Sequence, residues 1–373
     1  MVILDRTGLE VLFDALKKAG YTVIGPTVRD GAIVLDSLDN TGDLPKGWTD
    51  VQAPGAYALE KLPAEELFGY VVGPQSWKKF LLPPRATLFK AQRTNKGFDV
   101  TSGNGQEPPK YAFFGIRPCE LAALDIHDRI FMKGHFVDPA YTAVRDRVLT
   151  VAVNCTRPGG NCFCTSMDTG PAAKEGYDLA LTEVVEGTAQ YFVVDTGSPR
   201  GNEIMAAVPH RQAEVQEEDA AHVRIARAAG MMQKSVDTEN IKGMLYAAFE
   251  HPEWDDVAKR CLACTNCTMV CPTCFCSTVE DTTDLSGSSA ARSKRWDSCF
   301  TMDYTRVAGG NVRPSKRARY RQWLTHKFAY WIDQFGTTGC VGCGRCITWC
   351  PVGIDVTAEL AAIRRTAPPA AAR

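Results

Sequence analysis

The sequence predicts an α+β chain, an N-terminal α/β part followed by a mainly helical part. Three observations carry this. Short strand-like runs alternate with amphipathic helical patterns over residues 1–212, strand signals give out from about Ala213, and two identical cysteine runs lie in the second part. At 373 residues the chain exceeds one ordinary core. The division read here is 1–212 for the α/β domain, 213–365 for the helical domain and 366–373 for a flexible Pro/Ala-rich tail.

In chain order, Gly8–Ala19 places Leu9, Leu12, Phe13 and Leu16 on one helical face, followed by strand-like Tyr21–Ile24 and Ala32–Leu35. Tyr111–Ile116, Glu120–Phe131 and Val148–Val153 then read as strand, helix and strand. Asp178–Val184 and Tyr191–Val194 flank Glu186-Gly187-Thr188 as a hairpin. Beyond Ala213, the segments Glu217–Met232, Ile241–Phe249, Tyr320–Phe328 and Val356–Arg365 have helical periodicity.

The second part contains Cys261-x2-Cys264-x2-Cys267-x3-Cys271-Pro272 and Cys340-x2-Cys343-x2-Cys346-x3-Cys350-Pro351. This is the ligand spacing of a two-cluster ferredoxin, in which three thiolates of one run surround one cube and the cysteine before proline reaches the other. Two [4Fe-4S] clusters are therefore expected, with crossed ligands. Cys261, Cys264, Cys267 and Cys350 would hold cluster A; Cys340, Cys343, Cys346 and Cys271 would hold cluster B. Structural zinc also uses CxxC pairs, but needs no third and fourth cysteine at this spacing. Sixty-eight residues separate Cys271 from Cys340, so the expected domain is helical with an insertion rather than a compact two-cluster ferredoxin.

Seven cysteines remain. Cys119 follows the strand Tyr111–Ile116 and Cys155 follows Val148–Val153, so a right-handed strand–helix–strand unit puts both at the carboxyl edge of the sheet, where open sheets bind ligands. Cys162 and Cys164 come after the Pro158-Gly159-Gly160 loop. These four are nominated for a third [4Fe-4S] cluster, with zinc, or burial as small apolar residues, as the alternatives. Cys274, Cys276 and Cys299 are read as packing residues beside a cluster, with one of them able to replace a nominated ligand.

No GxGxxG or GxxxxGK[ST] is present, so common nucleotide sites lack support, and no residue is nominated as catalytic. His127 and His326 are read as packing residues. The net charge of −1 and the absence of a recognisable helix-turn-helix argue against nucleic acid. No apolar stretch suits a bilayer and no secretory leader is evident, so no membrane partner is expected. Free thiols arranged for metal suit a reducing cytoplasm. Arg292, Lys294, Arg295, Arg313, Lys316, Arg317, Arg319 and Arg321 make the insertion basic, read as a solvated helix face.

Several segments carry a family pattern. Phe114-Gly-Ile-Arg-Pro-Cys-Glu-Leu-Ala-Ala-Leu-Asp125, Asn154-Cys to Cys162-Phe-Cys-Thr-Ser-Met167, Cys271-Pro-Thr-Cys-Phe-Cys-Ser-Thr-Val-Glu-Asp281 and Arg319-Tyr-Arg-Gln-Trp-Leu-Thr-His-Lys327 together resemble the β subunit of soluble NADP-dependent [NiFe] hydrogenases, or sulfhydrogenases. The A subunit of anaerobic sulfite reductase looks similar. The resemblance implies an electron-transfer subunit without its own catalytic centre, linking a flavin- and NAD(P)-binding subunit to the hydrogenase small and large subunits. In the sulfite reductase alternative, the same relay would feed a sirohaem-bearing partner.

Overall fold

The computed structural model describes residues 1–103, 107–187 and 189–366. Thr188 of the expected hairpin turn and residues 367–373 of the expected tail lie outside them, while Thr366 closes the last helix, Val356–Thr366. The strands are β1 (Val2–Leu4), β2 (Thr22–Arg29), β3 (Ala32–Ser37), β4 (Trp48–Ala53), β5 (Ala56–Lys61), β6 (Arg85–Thr94), β7 (Gly97–Ser102), β8 (Tyr111–Ile116), β9 (Leu149–Val153), β10 (Leu179–Glu186), β11 (Ala189–Thr196), β12 (Arg211–Gln212), β13 (Ser277–Thr283) and β14 (Ser289–Trp296), with one pair of two-residue strands after them. Helices and sheets mix throughout, so the chain is α+β.

The main sheet has the order β12-β1-β11-β10-β9-β8-β2-β3. Its centre, β2, β8, β9 and β10, is parallel, and antiparallel strands extend both sides. The two middle strands, β8 and β9, are nearly continuous apolar runs because both faces are covered. On one face the helix Arg6–Lys18 packs Leu9, Leu12, Phe13 and Leu16 against Val23, Phe114, Val151 and Leu181. On the other, Leu121 and Leu124 of the helix Pro118–Phe131 pack with Phe113, Ile116 and Ala152. Phe113 and Ile116 share a face although they are three apart. The register slips at Gly115, which has φ of +86° and lies where a Cβ would meet Pro26 at 3.2 Å. That bulge sets the exit of β8 into Arg117 and the helix that carries Cys119.

A second core joins Trp254, Val257, Tyr320, Trp323, Leu324, Phe328, Ile347 and Leu360 from the helices around the cysteine runs. Phe163, fully buried, reaches into it from the loop after β9. The insertion between the runs departs from the mainly helical expectation. Its strands β13 and β14 pair with each other and, through β14, with β6, giving an antiparallel sheet of order β13-β14-β6-β7. The basic residues also change character. Arg292, Lys294 and Arg295 stand on a strand, where Arg292 pairs with Asp281 at 2.6 Å and Arg295 with Glu280. Among the described residues, no helix is long and apolar enough to cross a membrane.

Candidate metal centres

The two cysteine runs fold into loops with the same backbone signature. In the first, Ala263 and Thr265 take left-handed conformations, with φ of +55° and +71°. In the second, Gly342 and Gly344 stand at the same steps after the first cysteine, with φ of +65° and +73°. The sulfur of Cys261 accepts from the Ala263 N–H at 3.3 Å, and that of Cys340 accepts from the Gly342 N–H at 3.5 Å. A single helical turn follows each loop, Asn266–Met269 and Arg345–Thr348. Successive backbone N–H groups turned inward by alternating left-handed residues make a concave, anion-binding surface.

Cys261, Cys264, Cys267 and Cys350 line one cavity together with Cys346, walled by Phe300, Tyr320 and Trp323. The crossed grouping therefore exists in space at the first loop. The Tyr320 hydroxyl and the Trp323 indole nitrogen are both buried without a partner among the described residues. Orphaned donors beside four thiols suit an anionic, sulfur-rich group. On the second side, burial first and then the neighbouring Cys340, Cys343, Cys271 and Cys267 push the Cys346 thiol well up. Cys264 is exposed, whereas Cys261 and Cys271 are buried.

Cys119, Cys155, Cys162 and Cys164 also converge on one cavity. Cys119 sits in the first turn after β8 and Cys155 just after β9, so the parallel pairing of these strands sets both at one sheet edge. The loop carrying Cys162 and Cys164 is fixed by close packing: a Cβ on Gly160 would lie 2.3 Å from the Gln52 carbonyl oxygen. Arg117, Glu120, Arg345 and Cys343 complete the walls. Arg345 is paired with Glu120 at 2.5 Å. Arg117 donates to the Phe68 and Tyr70 carbonyls at 3.0 and 2.6 Å, and its Nε and Nη1 are buried with no hydrogen-bond partner among the described residues. Burial pushes the Cys155 thiol up and takes Cys164 to about 12. Such thiols stay protonated until a metal displaces the proton. Two guanidinium groups against one carboxylate leave the cavity ready for negative charge.

In the first and third groups the thiols line a cavity. Among the described residues, no three His, Cys, Asp or Glu side chains are placed to share a single metal ion. Tetrahedral zinc, with bonds of about 2.3 Å, would need its four sulfurs within about 4 Å of one another. A larger, multinuclear group fits better.

The remaining cysteines behave differently. The Cys276 carbonyl accepts from the Asp297 N–H at 2.8 Å, closing the base of the β13–β14 hairpin. The Cys271 thiol lies 3.2 Å from the Thr273 hydroxyl, and the Cys299 thiol beside Cys276 holds the Cys276 thiol down to about 6. Sequence reasoning also gave Lys327 no role. It is buried, and its Nζ donates to Cys271 Sγ at 3.2 Å. Thr325 and His326 stand directly before it, so no unbroken apolar run marked it in the sequence. His127 is fully buried against Phe131, Tyr141 and Phe275, consistent with packing.

No solved structure matches the chain. A family model described as a 4Fe-4S dicluster domain matches residues 260–354, which span both loops. Sulfhydrogenase 2 subunit beta of Pyrococcus furiosus is 34% identical over 290 residues, covering 77% of this chain and 82% of the relative. With [4Fe-4S] chemistry assigned to the loops and homology reaching far beyond them, the chain belongs to the sulfhydrogenase beta-subunit family.

Proposed function

We propose that this chain is the iron–sulfur electron-transfer subunit of a cytoplasmic hydrogenase complex, passing single electrons between a flavin- and NAD(P)-binding subunit and the hydrogenase small subunit. Cys261, Cys264, Cys267 and Cys350 would hold one cluster, Cys340, Cys343, Cys346 and Cys271 a second, and Cys119, Cys155, Cys162 and Cys164 a third. The observation that carries the reading is the crossed cysteine grouping around the first cavity, where Cys350 joins the loop Cys261–Cys267. A [4Fe-4S] cluster supplies one-electron oxidation and reduction at a potential its surroundings tune. The protein's part is to seat and insulate it. Phe300, Tyr320 and Trp323 exclude water, loop N–H groups point at sulfur, and no side chain here needs to act as acid, base or nucleophile.

Proximity supports a continuous path. Cys343 belongs to the second run and also lines the third cavity, and the Phe163 N–H donates to the Gly342 carbonyl at 2.8 Å. In this reading the division at 212/213 separates the contributing segments, while the third site draws Cys343 and Arg345 from the far side of it. The test is anaerobic iron, acid-labile sulfide and zinc on the purified chain. Three clusters give about twelve irons, and two give about eight. Eight irons with one zinc would make the third site structural, and an absence of labile sulfide would end the proposal.

A further inference from the structure

The two loops repeat each other's backbone but not each other's charge. On the second side Lys327, 6% exposed, sits on the π-helical turn His326–Tyr330. Its Nζ donates to Cys271 Sγ at 3.2 Å, Thr273 Oγ1 at 3.0 Å and the Gly339 carbonyl at 3.2 Å. No carboxylate pairs with it among the described residues, so the one acceptor able to carry charge is the Cys271 sulfur. A second buried ammonium, Lys78, donates to the Cys274 carbonyl at 3.0 Å and the Thr268 carbonyl at 3.2 Å. On the first side the matching cysteine, Cys350, accepts the backbone N–H of Ile354 at 3.3 Å. Lys316, the ammonium on that side, is partly exposed and donates to the Cys261 carbonyl oxygen at 2.8 Å, not to sulfur.

A buried ammonium is costly unless an anion faces it. Reducing an iron–sulfur cluster by one electron adds one negative charge, and a cation against a ligand sulfur stabilises that reduced form more than the oxidised one. We propose that Lys327 is a positioning cation that sets the reduction potential of the cluster on Cys271, Cys340, Cys343 and Cys346 above that of the cluster on Cys261, Cys264, Cys267 and Cys350. The inference rests on the iron–sulfur reading above. It gives the relay a direction. An electron arriving beside exposed Cys264 moves downhill to the Lys327 side and onward past Cys343 to the cavity walled by Arg117 and Arg345.

The experiment uses the assembled complex, with iron and labile sulfide determined for every variant and midpoints read by potentiometric titration followed by EPR. In the wild type, the signal lost in Cys264→Ala should be the lower of the two dicluster signals. Lys327→Met should keep full iron and lower the other dicluster midpoint by a tenfold change in its reduction equilibrium, about 59 mV for one electron. Lys327→Arg, which restores the charge, should return most of the shift; a merely structural lysine would show no such split between Met and Arg. If Lys327→Met fails to load iron, Lys327→Gln carries the substitution test with similar length and a neutral donor. Full loading with unchanged midpoints overturns the proposal. So do equal dicluster midpoints in the wild type, whatever the variants do. Absence of labile sulfide from the wild type would instead remove the underlying reading.

Discussion

The cysteine runs and the third cavity each gather thiols in fours, by opposite means. Each run writes its loop into eleven consecutive residues, with left-handed steps that turn N–H groups toward sulfur. The third cavity has no such local code: Cys119 and Cys155 meet because β8 and β9 are parallel neighbours, and Cys162 and Cys164 join them through a loop wedged against Gln52. Local encoding tolerates a changed scaffold; topological encoding does not. The charges differ too, since Arg117 and Arg345 wall the third cavity while orphaned tyrosine and tryptophan donors wall the first.

The largest effect expected from breaking this comparison is at Cys343, the residue both regions share. Cys343→Ala should abolish hydrogen-to-NADP electron transfer in the assembled complex and remove about four irons per chain. An unchanged transfer rate would show that electrons bypass the second loop. Cys155→Ala should also remove about four irons, but leave both dicluster EPR signals in place. If the dicluster signals vanish with it, the third cavity is a folding element on which the loops depend.

Legibility followed the same divide. The spacing of the runs displayed their chemistry, and the strand–helix–strand pattern from Tyr111 to Val153 was enough to bring Cys119 and Cys155 to one edge. The sheet β13-β14-β6-β7 was not legible. Strand β7 is exposed throughout and β14 buries Ser293 alone, so no apolar alternation marks either one. Pairing between β6 and β14, nearly two hundred residues apart in sequence, supplies what local pattern lacks. Lys327 and Arg117 were hidden for a related reason. A buried cation is recognisable only once the sulfurs or carbonyls around it are known.

Smaller effects separate the two loops from each other. A Cβ on Gly344 would lie 2.4 Å from the Asn161 carbonyl oxygen, at φ of +73°. Gly344→Ala should therefore destabilise the protein by about 3 kcal/mol, from left-handed strain plus the clash. Thr265 takes the same conformation in the first loop with a side chain already present. Thr265→Gly relieves strain but frees the unfolded chain, so its unfolding free energy should move by less than about 1 kcal/mol. Denaturant unfolding under anaerobic conditions measures both, and equal effects would mean that packing of the second loop on Asn161 contributes nothing.

The smallest expected effect is at the cysteines outside the nominated groups. Cys276 and Cys299 are neighbours near the base of the β13–β14 hairpin, and neither lines the described cavities of the nominated clusters. A hydroxyl can replace one thiol in such a contact at a cost of about 1 kcal/mol, because a neutral hydrogen bond contributes only about that much net. Cys276→Ser should accordingly keep the full iron content and every EPR signal. Loss of about four irons would instead make Cys276 a ligand, and one of the twelve cysteines assigned above would then be free.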